Sequence, residues 1–420
     1  MNYEECISWL YSFEKFGIKL GLERINHICK ELGDPQKNYK IIHVGGTNGK
    51  GSVCRFLGSI LLNSGYKVGI YLSPHLQRFS ERFIVDEKEI SKKDVANLIE
   101  KIKPIVEEMT KNDNTPTFFE IVTAMAFQYF SDKKVDFAVI EVGLGGRYDA
   151  TNIVEPMVTV ITNVTLEHQN ILGKKIDDIA YQKAGIIKDG IPLVTGSKDI
   201  ALDVIKRVAK EKNSPLKIVD NNSWKKISGG MDSQVFLVNG SLKDYNVKTT
   251  LSGRFQGENI AVTIAAIETL QMNGVYITDE SIKEGIQKAT NPGRMEIVGY
   301  EPLIILDGAH NVAGINSLKD ALEGDFIYEK LILVIGILSD KDIQEMLDII
   351  TPIADTIIVT KSHSDRACSP NKLKEMIRKE VIVKDEISDA VDYAKKLANK
   401  QDLILVTGSL FTVGEAKDHL

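Results

Sequence analysis

The sequence predicts an α/β protein of two domains: a P-loop-type, mostly parallel sheet carrying a small antiparallel patch, then a smaller Rossmann-like α/β domain. Three observations predict it. Short apolar runs alternate with helix-period stretches nearly throughout, as they do when helices cover parallel sheets. A glycine-rich turn, HVGGTNGKGS (His43–Ser52), joins the first such run to a helix pattern. And 420 residues exceed what one ordinary core holds.

In chain order, KIIHVGG, KVGIYLS, VDFAVIEVG and MVTVITN read as buried strands, each ending in polar or glycine-rich sequence. Helix patterns fall at Gly51–Ser64, Lys92–Thr110, Thr117–Ser131 and Lys175–Ile187. Residues Asn221–Leu251 alternate between apolar and polar with Gly, Asn and Asp turns, the mark of a small antiparallel patch. Gln256–Met272 and Asp279–Ala289 read as helices. After Pro292-Gly293 a new alternation begins, with strands LIILDG, LILVIG, TIIVTK and DLILVTG. The boundary is expected near Glu296–Tyr300, giving an ATP-binding domain over 1–297 and a C-terminal domain over 298–420.

Composition narrows the partners. A net charge of −6 argues against a general nucleic-acid or lipid binder, which needs a basic field. Cys6, Cys29, Cys54 and Cys368 form no CxxC pair or zinc spacing, as suits a reducing cytosol. The N-terminus lacks a basic leader, and the longest apolar runs are strand-sized, so a soluble cytoplasmic protein is expected.

The turn at His43–Ser52 carries the chemistry. Glycines there let the backbone close around phosphate oxygens, and the helix that follows aims its unbonded N–H groups at the anion. Lys50 adds a mobile point charge. The strict Walker pattern fails twice: Val44 replaces its first glycine, and Gly51 its metal-binding hydroxyl. Any magnesium ligands must therefore come from elsewhere in the chain. Strand ends supply candidates, because ligands bind at the carboxyl ends of parallel strands. Ser73 follows KVGIYL, Glu141 follows VDFAVI, and His168 lies just beyond VTVITN. Ser73 alone reads equally as a turn residue, and His168 alone as a loop histidine.

Around Glu141 the run EVGLGGRYDATN offers glycines for backbone approach, with Arg147 and Asp149 for polar substrate groups. In Thr117–Glu120, TFFE, Phe118 and Phe119 either hold a flat ring or join the core. In the second half, Asp307 ends the run LIIL and His310 follows three residues on. The DGAHN segment reads either as a site facing the nucleotide or as an Asp-Gly turn with Asn311 capping a helix.

Together these motifs resemble the folylpolyglutamate synthase and dihydrofolate synthase family of the Mur ligase superfamily. GTNGKGS, YLSPHL, TFFE, EVGLGGRYDATN, ITNVTLEHQNILG, QKAGI, GRFQGEN, NPGRME, DGAHN and VTGSLF run in family order over most of the chain. The resemblance implies an ATP-dependent ligase adding L-glutamate to a folate, and to dihydropteroate, through an acyl phosphate. It implies that Gly46, Thr47, Asn48, Gly49, Lys50, Gly51 and Ser52 bind ATP with Asn259, Arg294 and Asp307. Thr117, Phe118, Phe119, Glu120, Tyr148, Asp149 and Ala150 would lie at the pterin-bearing substrate. Ser73, Glu141 and His168 would serve one or two Mg2+ ions, with a monovalent cation such as K+ besides. Lys50, His168, Lys183, Asp307 and His310 would be catalytic, in a monomer.

Lys183 matches a family position whose lysine is carbamylated and helps hold a second metal. Spacing places it in the apolar stripe of Ile176, Ile179, Ala180 and Ile187, where a charged head is costly. Either it is desolvated and open to carbon dioxide, or its head snorkels to water. Other readings share parts of this pattern. A Mur peptidoglycan ligase lacks the SPHL, TFFE and DGAHN motifs, a simple P-loop ATPase needs no second catalytic domain, and a dinucleotide binder needs a GxGxxG absent here.

Overall fold

The computed structural model describes residues 2–420. Its largest sheet has eight strands: β1 (Lys40–Gly45), β2 (Val68–Tyr71), β3 (Phe83–Val85), β4 (Lys88–Glu89), β5 (Phe137–Glu141), β6 (Val158–Ile161), β7 (Leu193–Thr195) and β8 (Leu216–Ile218). Their order is β4-β3-β2-β5-β1-β6-β7-β8. All pairs are parallel except β2 with β3 and β3 with β4. The chain winds outward on one side of β1, then crosses to β6 on the other. That reversal leaves a crevice at the carboxyl end of β1, where open α/β sheets bind ligands.

Strands β1, β5 and β6 are buried almost end to end, which is why they read as continuous apolar runs. Helices α1 (Tyr3–Tyr11), α2 (Glu23–Glu31), α3 (Lys50–Asn63), α4 (Lys92–Lys111) and α5 (Phe118–Asp132) belong to this first half. One core joins Ile41, Tyr71 and Ile140 of the sheet to α1, α2, α4 and α5. After a one-turn helix α6 (Gln169–Leu172) come α7 (Ile176–Ala184) and α8 (Asp199–Glu211), which bury a second cluster with Ile161 and Leu193. Sequence periodicity left α1, α2, α8 and the short strands β3, β4, β7 and β8 unassigned. Those strands run two or three residues, too few to show a period.

The expected antiparallel patch is a three-stranded sheet of β9 (Trp224–Gly229), β10 (Gln234–Asn239) and β11 (Asp244–Thr249), in order β11-β10-β9. Strands β10 and β11 alternate buried with more exposed residues, matching the alternation in sequence. Helices α9 (Gln256–Met272) and α10 (Asp279–Lys288) follow.

The second large sheet contains β12 (Glu296–Tyr300), β13 (Leu303–Asp307), β14 (Leu331–Ile335), β15 (Thr356–Val359), β16 (Ile382–Val383) and β17 (Leu403–Thr407). Its order is β12-β13-β17-β14-β15-β16, parallel apart from the β12–β13 edge pair. It has a core of its own, with helix α11 (Val312–Asp325) packed into it. The chain divides into two compact units. The first runs through Lys225 and adds Leu237–Val247 and Glu258–Lys288; the second comprises Lys226–Phe236, Lys248–Gly257 and Ala289–Leu420. No helix among the described residues is long and apolar enough to cross a membrane.

Helix α10 lies so close to α3 that a Cβ on Gly285 would sit 2.5 Å from the Cα of Ile60. Gly285→Ala would gain about 1 kcal/mol in helix propensity. Against a backbone that cannot rotate aside, the overpacking costs about 1–3 kcal/mol. A lower urea midpoint is expected; a midpoint at or above wild type would show that the helix pair yields freely.

Candidate active site

The phosphate loop is held from outside by the segment after β6. The Thr47 N–H donates to the Asn163 carbonyl at 2.8 Å, and the Asn48 N–H to the Asn163 side-chain oxygen at 2.9 Å. Thr162 Oγ1 donates to the Asn48 carbonyl at 2.7 Å, while Thr47 Oγ1 accepts the Thr165 N–H at 3.1 Å. Gly46 and Gly49 hold φ angles of 133° and 82°, open to glycine at no steric cost. A Cβ on Gly46 would collide with Thr162 Oγ1, and one on Gly49 with the Asn259 amide. Asn259, far along the chain on α9, is thereby brought against the loop as expected. Gly51 and Ser52 sit in the first turn of α3.

Two ammonium groups meet on this loop. Lys50 Nζ donates to the carbonyls of Gly46 at 3.1 Å and Thr47 at 3.0 Å. Lys183 Nζ, from α7, donates to the same Gly46 carbonyl at 2.8 Å and pairs with Glu167 Oε1 at 2.8 Å. Lys183 is only 1% exposed, so its head does not snorkel to water. Burial lowers its pKa, opposed by Glu167 and reinforced by Lys50. Burial alone would raise the Glu167 carboxyl, but Lys183 and Lys50 overrule it and hold it at about 2. Glu167 escaped the sequence reading, although it directly precedes His168 in the LEHQN run.

Ser73 and Glu141 come together at the ends of β2 and β5: the Ser73 N–H donates to Glu141 Oε2 at 2.9 Å. Ser73 Oγ is buried without a hydrogen-bond partner. A hydroxyl left open beside a buried carboxylate suits a hard cation that also takes ligand phosphate oxygens. Among the described residues no three His, Cys, Asp or Glu side chains cluster as a metal cage, so a mixed donor set is the fitting one. His168 stands beyond β6 in a left-handed conformation, φ 47°, leading into α6.

Beside Ser73 opens a cavity of about 350 Å³, walled by Thr117–Glu120, Gly143–Gly146, Tyr148–Ala150 and the Gly17–Leu20 segment. The structure brings Thr117–Glu120 and Tyr148–Ala150 to this wall, though not Arg147, and gives several of the polar groups further bonds. Thr117 caps α5: its Oγ1 accepts the Glu120 N–H, and Glu120 accepts the Thr117 N–H at 2.7 Å. Arg24 also pairs with Glu120 at 3.0 Å, so this acid serves the helix cap as well as lining the cavity. Asp149 accepts the Leu144 N–H at 2.8 Å and the Thr151 N–H and hydroxyl, which ties down the loop instead of leaving a carboxylate toward the ligand. Arg147 stacks over Tyr181 at 4.1 Å. Phe118 and Phe119 are half-buried, packed on the core as one reading of them had it, and they also line the cavity. The floor also carries Arg82, which the sequence reading passed over in the SPHLQRFSER run.

In the second unit, DGAHN forms a compact turn. Asp307 accepts the Met295 N–H at 2.8 Å and the Ala309 N–H at 2.9 Å; burial raises its pKa and Arg294 opposes that. The Gly308 carbonyl accepts from both Arg294 Nη1 at 3.0 Å and His310 Nδ1 at 2.8 Å. A carbonyl only accepts, so Nδ1 carries the His310 proton. Asn311 caps α11 through the Gly314 N–H, as the alternative reading of this motif had it.

A nucleotide loop on a parallel sheet, next to an aromatic-walled cavity and followed by a second α/β unit, is the layout of a Mur-type ligase. Residues 44–267 match the Mur ligase middle domain, and residues 293–410 the Mur ligase glutamate ligase domain. The chain is 37% identical over 430 residues to the dihydrofolate synthase/folylpolyglutamate synthase of Bacillus subtilis, covering 100% of this chain and 99% of that one. The Thermotoga maritima folylpolyglutamate synthase structure is 40% identical with a TM-score of 0.87, over 100% of this chain and 96% of that one. The Mycobacterium tuberculosis folylpolyglutamate synthase complexed with ADP is 30% identical with a TM-score of 0.91, over 99% and 98%. This chain belongs to the folylpolyglutamate synthase/dihydrofolate synthase family of Mur ligases.

Glu167→Gln would leave the Lys183 ammonium buried without its counter-charge, at a cost of about 3–5 kcal/mol. The sign with pH is fixed. The folded pKa of Glu167 (about 2) lies below its ordinary 4.5, so its stabilisation is full above 4.5 and fades as pH falls toward 2. Urea midpoints at neutral pH should drop in the variant, and its acid decline between pH 4.5 and 3 should be shallower. Equal midpoints at neutral pH would show the pair contributes nothing.

Proposed function

We propose that this chain adds L-glutamate to a folate and to dihydropteroate, using ATP to activate the substrate carboxylate as an acyl phosphate. The observation that carries the reading is the shared boundary of phosphate loop and cavity. Ser73 both lines the aromatic-walled cavity and bonds the Glu141 carboxylate beside β1. A flat ring held by Phe118 and Phe119 can thus extend its carboxylate toward the γ-phosphate.

In the proposed mechanism, the substrate carboxylate attacks the γ-phosphate and expels ADP, giving the acyl phosphate, and Lys50 turns from the loop carbonyls to the transferring phosphoryl oxygens. Catalysis here is positioning and charge stabilisation rather than covalent attachment to protein. The glutamate amine then attacks the acyl carbon and phosphate departs. We assign Asn259, Arg294 and Asp307 to the nucleotide, and His310 to the catalytic set. We assign Ser73, Glu141 and His168 to Mg2+, which supplies charge neutralisation to the phosphates when bound. A monovalent cation such as K+ belongs to the same proposal. The working division is residues 1–297 for ATP and ring binding and 298–420 for the ligase half, in a cytoplasmic monomer. All four cysteines are free and buried, in keeping with a reducing compartment.

The test is ADP release with glutamate plus either dihydropteroate or tetrahydrofolate. Turnover should require both partners, and Lys50→Ala should lower it at least about a hundredfold. Rapid ATP hydrolysis indifferent to both substrates overturns the reading.

We further propose that Lys183 is carbamylated in the active protein. Burial lowers its pKa and so favours the neutral amine that reacts with carbon dioxide, against the opposing pull of Glu167. The modification turns a cation into an anion, so Lys183 must then give up Glu167 and the Gly46 carbonyl and present its oxygens to a metal. Protein equilibrated with 13C-bicarbonate should show a carbamate carbon resonance that Lys183→Ala lacks. Its absence from wild-type protein with nucleotide and Mg2+ refutes the assignment.

A further inference from the structure

We infer that Arg82 reads the acceptor edge of the ring in the cavity, the O4 oxygen and the neighbouring N5 nitrogen of a 2-amino-4-oxopteridine in its oxidised or 7,8-dihydro form. This rests on the functional reading above and deepens it. Arg82 lines the cavity and is only 7% exposed, at the end of the short turn Phe79–Arg82. Its side chain makes one hydrogen bond, Nε to His75 Nδ1 at 2.9 Å, and its guanidinium lies 5.6 Å over the Phe118 ring. No carboxylate comes within ion-pair distance of it among the described residues. Both terminal nitrogens, four N–H donors in all, have no bonded acceptor.

An arginine buried this deeply without a counter-charge is expensive. Sequences keep one where a ligand completes it. His75 fits the arrangement by its geometry. Its Nδ1 accepts the Arg82 Nε–H at 2.9 Å and fixes the direction in which the fork points. His75 is thus a positioning residue for Arg82.

The ring edge suits this fork better than the reacting carboxylate does. Two adjacent acceptors in a plane match the spacing of two guanidinium N–H groups. Phe118, stacked on Tyr11 at 5.2 Å, offers a flat surface beside the guanidinium for a ring to lie along. A guanidinium clamped on the reacting carboxylate would instead withdraw the charge that must attack phosphorus.

The experiment measures binding of two ligands to the full chain with ADP and Mg2+: a 2-amino-4-oxopteridine and its 2,4-diamino analogue on the same aminobenzoate tail. Replacing the oxo group by an amino group puts a donor where the fork needs an acceptor. Wild type should favour the oxo ring, and Arg82→Met should weaken that ring about ten- to a hundredfold, erasing the preference. The thermal midpoint of Arg82→Met should be unchanged or higher, because an unpaired buried charge is gone. Arg82→Lys keeps a charge but not the fork, and should lose most of the preference with the fold intact. Three results overturn the inference: an unaltered preference in both variants, equal weakening of both ligands, or a lower midpoint with the preference retained. If wild type binds neither ring, the functional reading falls too; if it binds and the variants match it, only the inference falls.

Discussion

A single carbonyl, that of Gly46, accepts from Lys50 and Lys183 together, and much of the site is arranged around that crowding. Two cations on one neutral oxygen repel, and Glu167, paired with Lys183, balances them with a smaller pull from Asp149. The loop geometry follows from the same point. Thr162 and Asn163 hold the backbone from below, so the carbonyls of Gly46 and Thr47 stay turned to the lysines. An anion arriving at the helix N-terminus offers both cations a better partner than a peptide oxygen does. The ligand-free loop therefore stores its positive charge on weak acceptors that are ready to exchange.

Much of this could be read in the sequence, for a physical reason. Buried parallel strands must be apolar throughout and must end in polar residues, so Ser73, Glu141 and Asp307 marked strand ends without any structure. The glycines of the loop were legible too, because few other residues fit a backbone with φ near 82° or 133°. Periodicity found α9 to the residue, but could not see strands only two or three residues long.

Less legible was what each polar side chain would spend its bonds on. Glu120 caps its helix and Asp149 anchors its own loop while both line the cavity. Both serve backbone N–H groups that would otherwise be buried unbonded, a demand no residue spacing announces. Arg82 and Glu167 were missed for the complementary reason. Their importance comes from burial and from partners or missing partners far away in the chain, such as Lys183 for Glu167.

The glycine turn at the cavity wall has one more consequence. A Cβ on Gly146 would lie 2.9 Å from the carbonyls of both Gln182 and Lys183, and the Arg147 N–H donates to Gln182 at 2.9 Å. The wall of the ring cavity is therefore seated on the last turn of the helix that delivers Lys183 to the phosphate loop. With no slack between them, a shift of that turn on nucleotide arrival reshapes the cavity, and a ring in the cavity pushes back. Such coupling is reciprocal in free energy. The phosphate loop and the cavity wall are thus joined through the contact between one turn and one helix end, well away from any reacting atom.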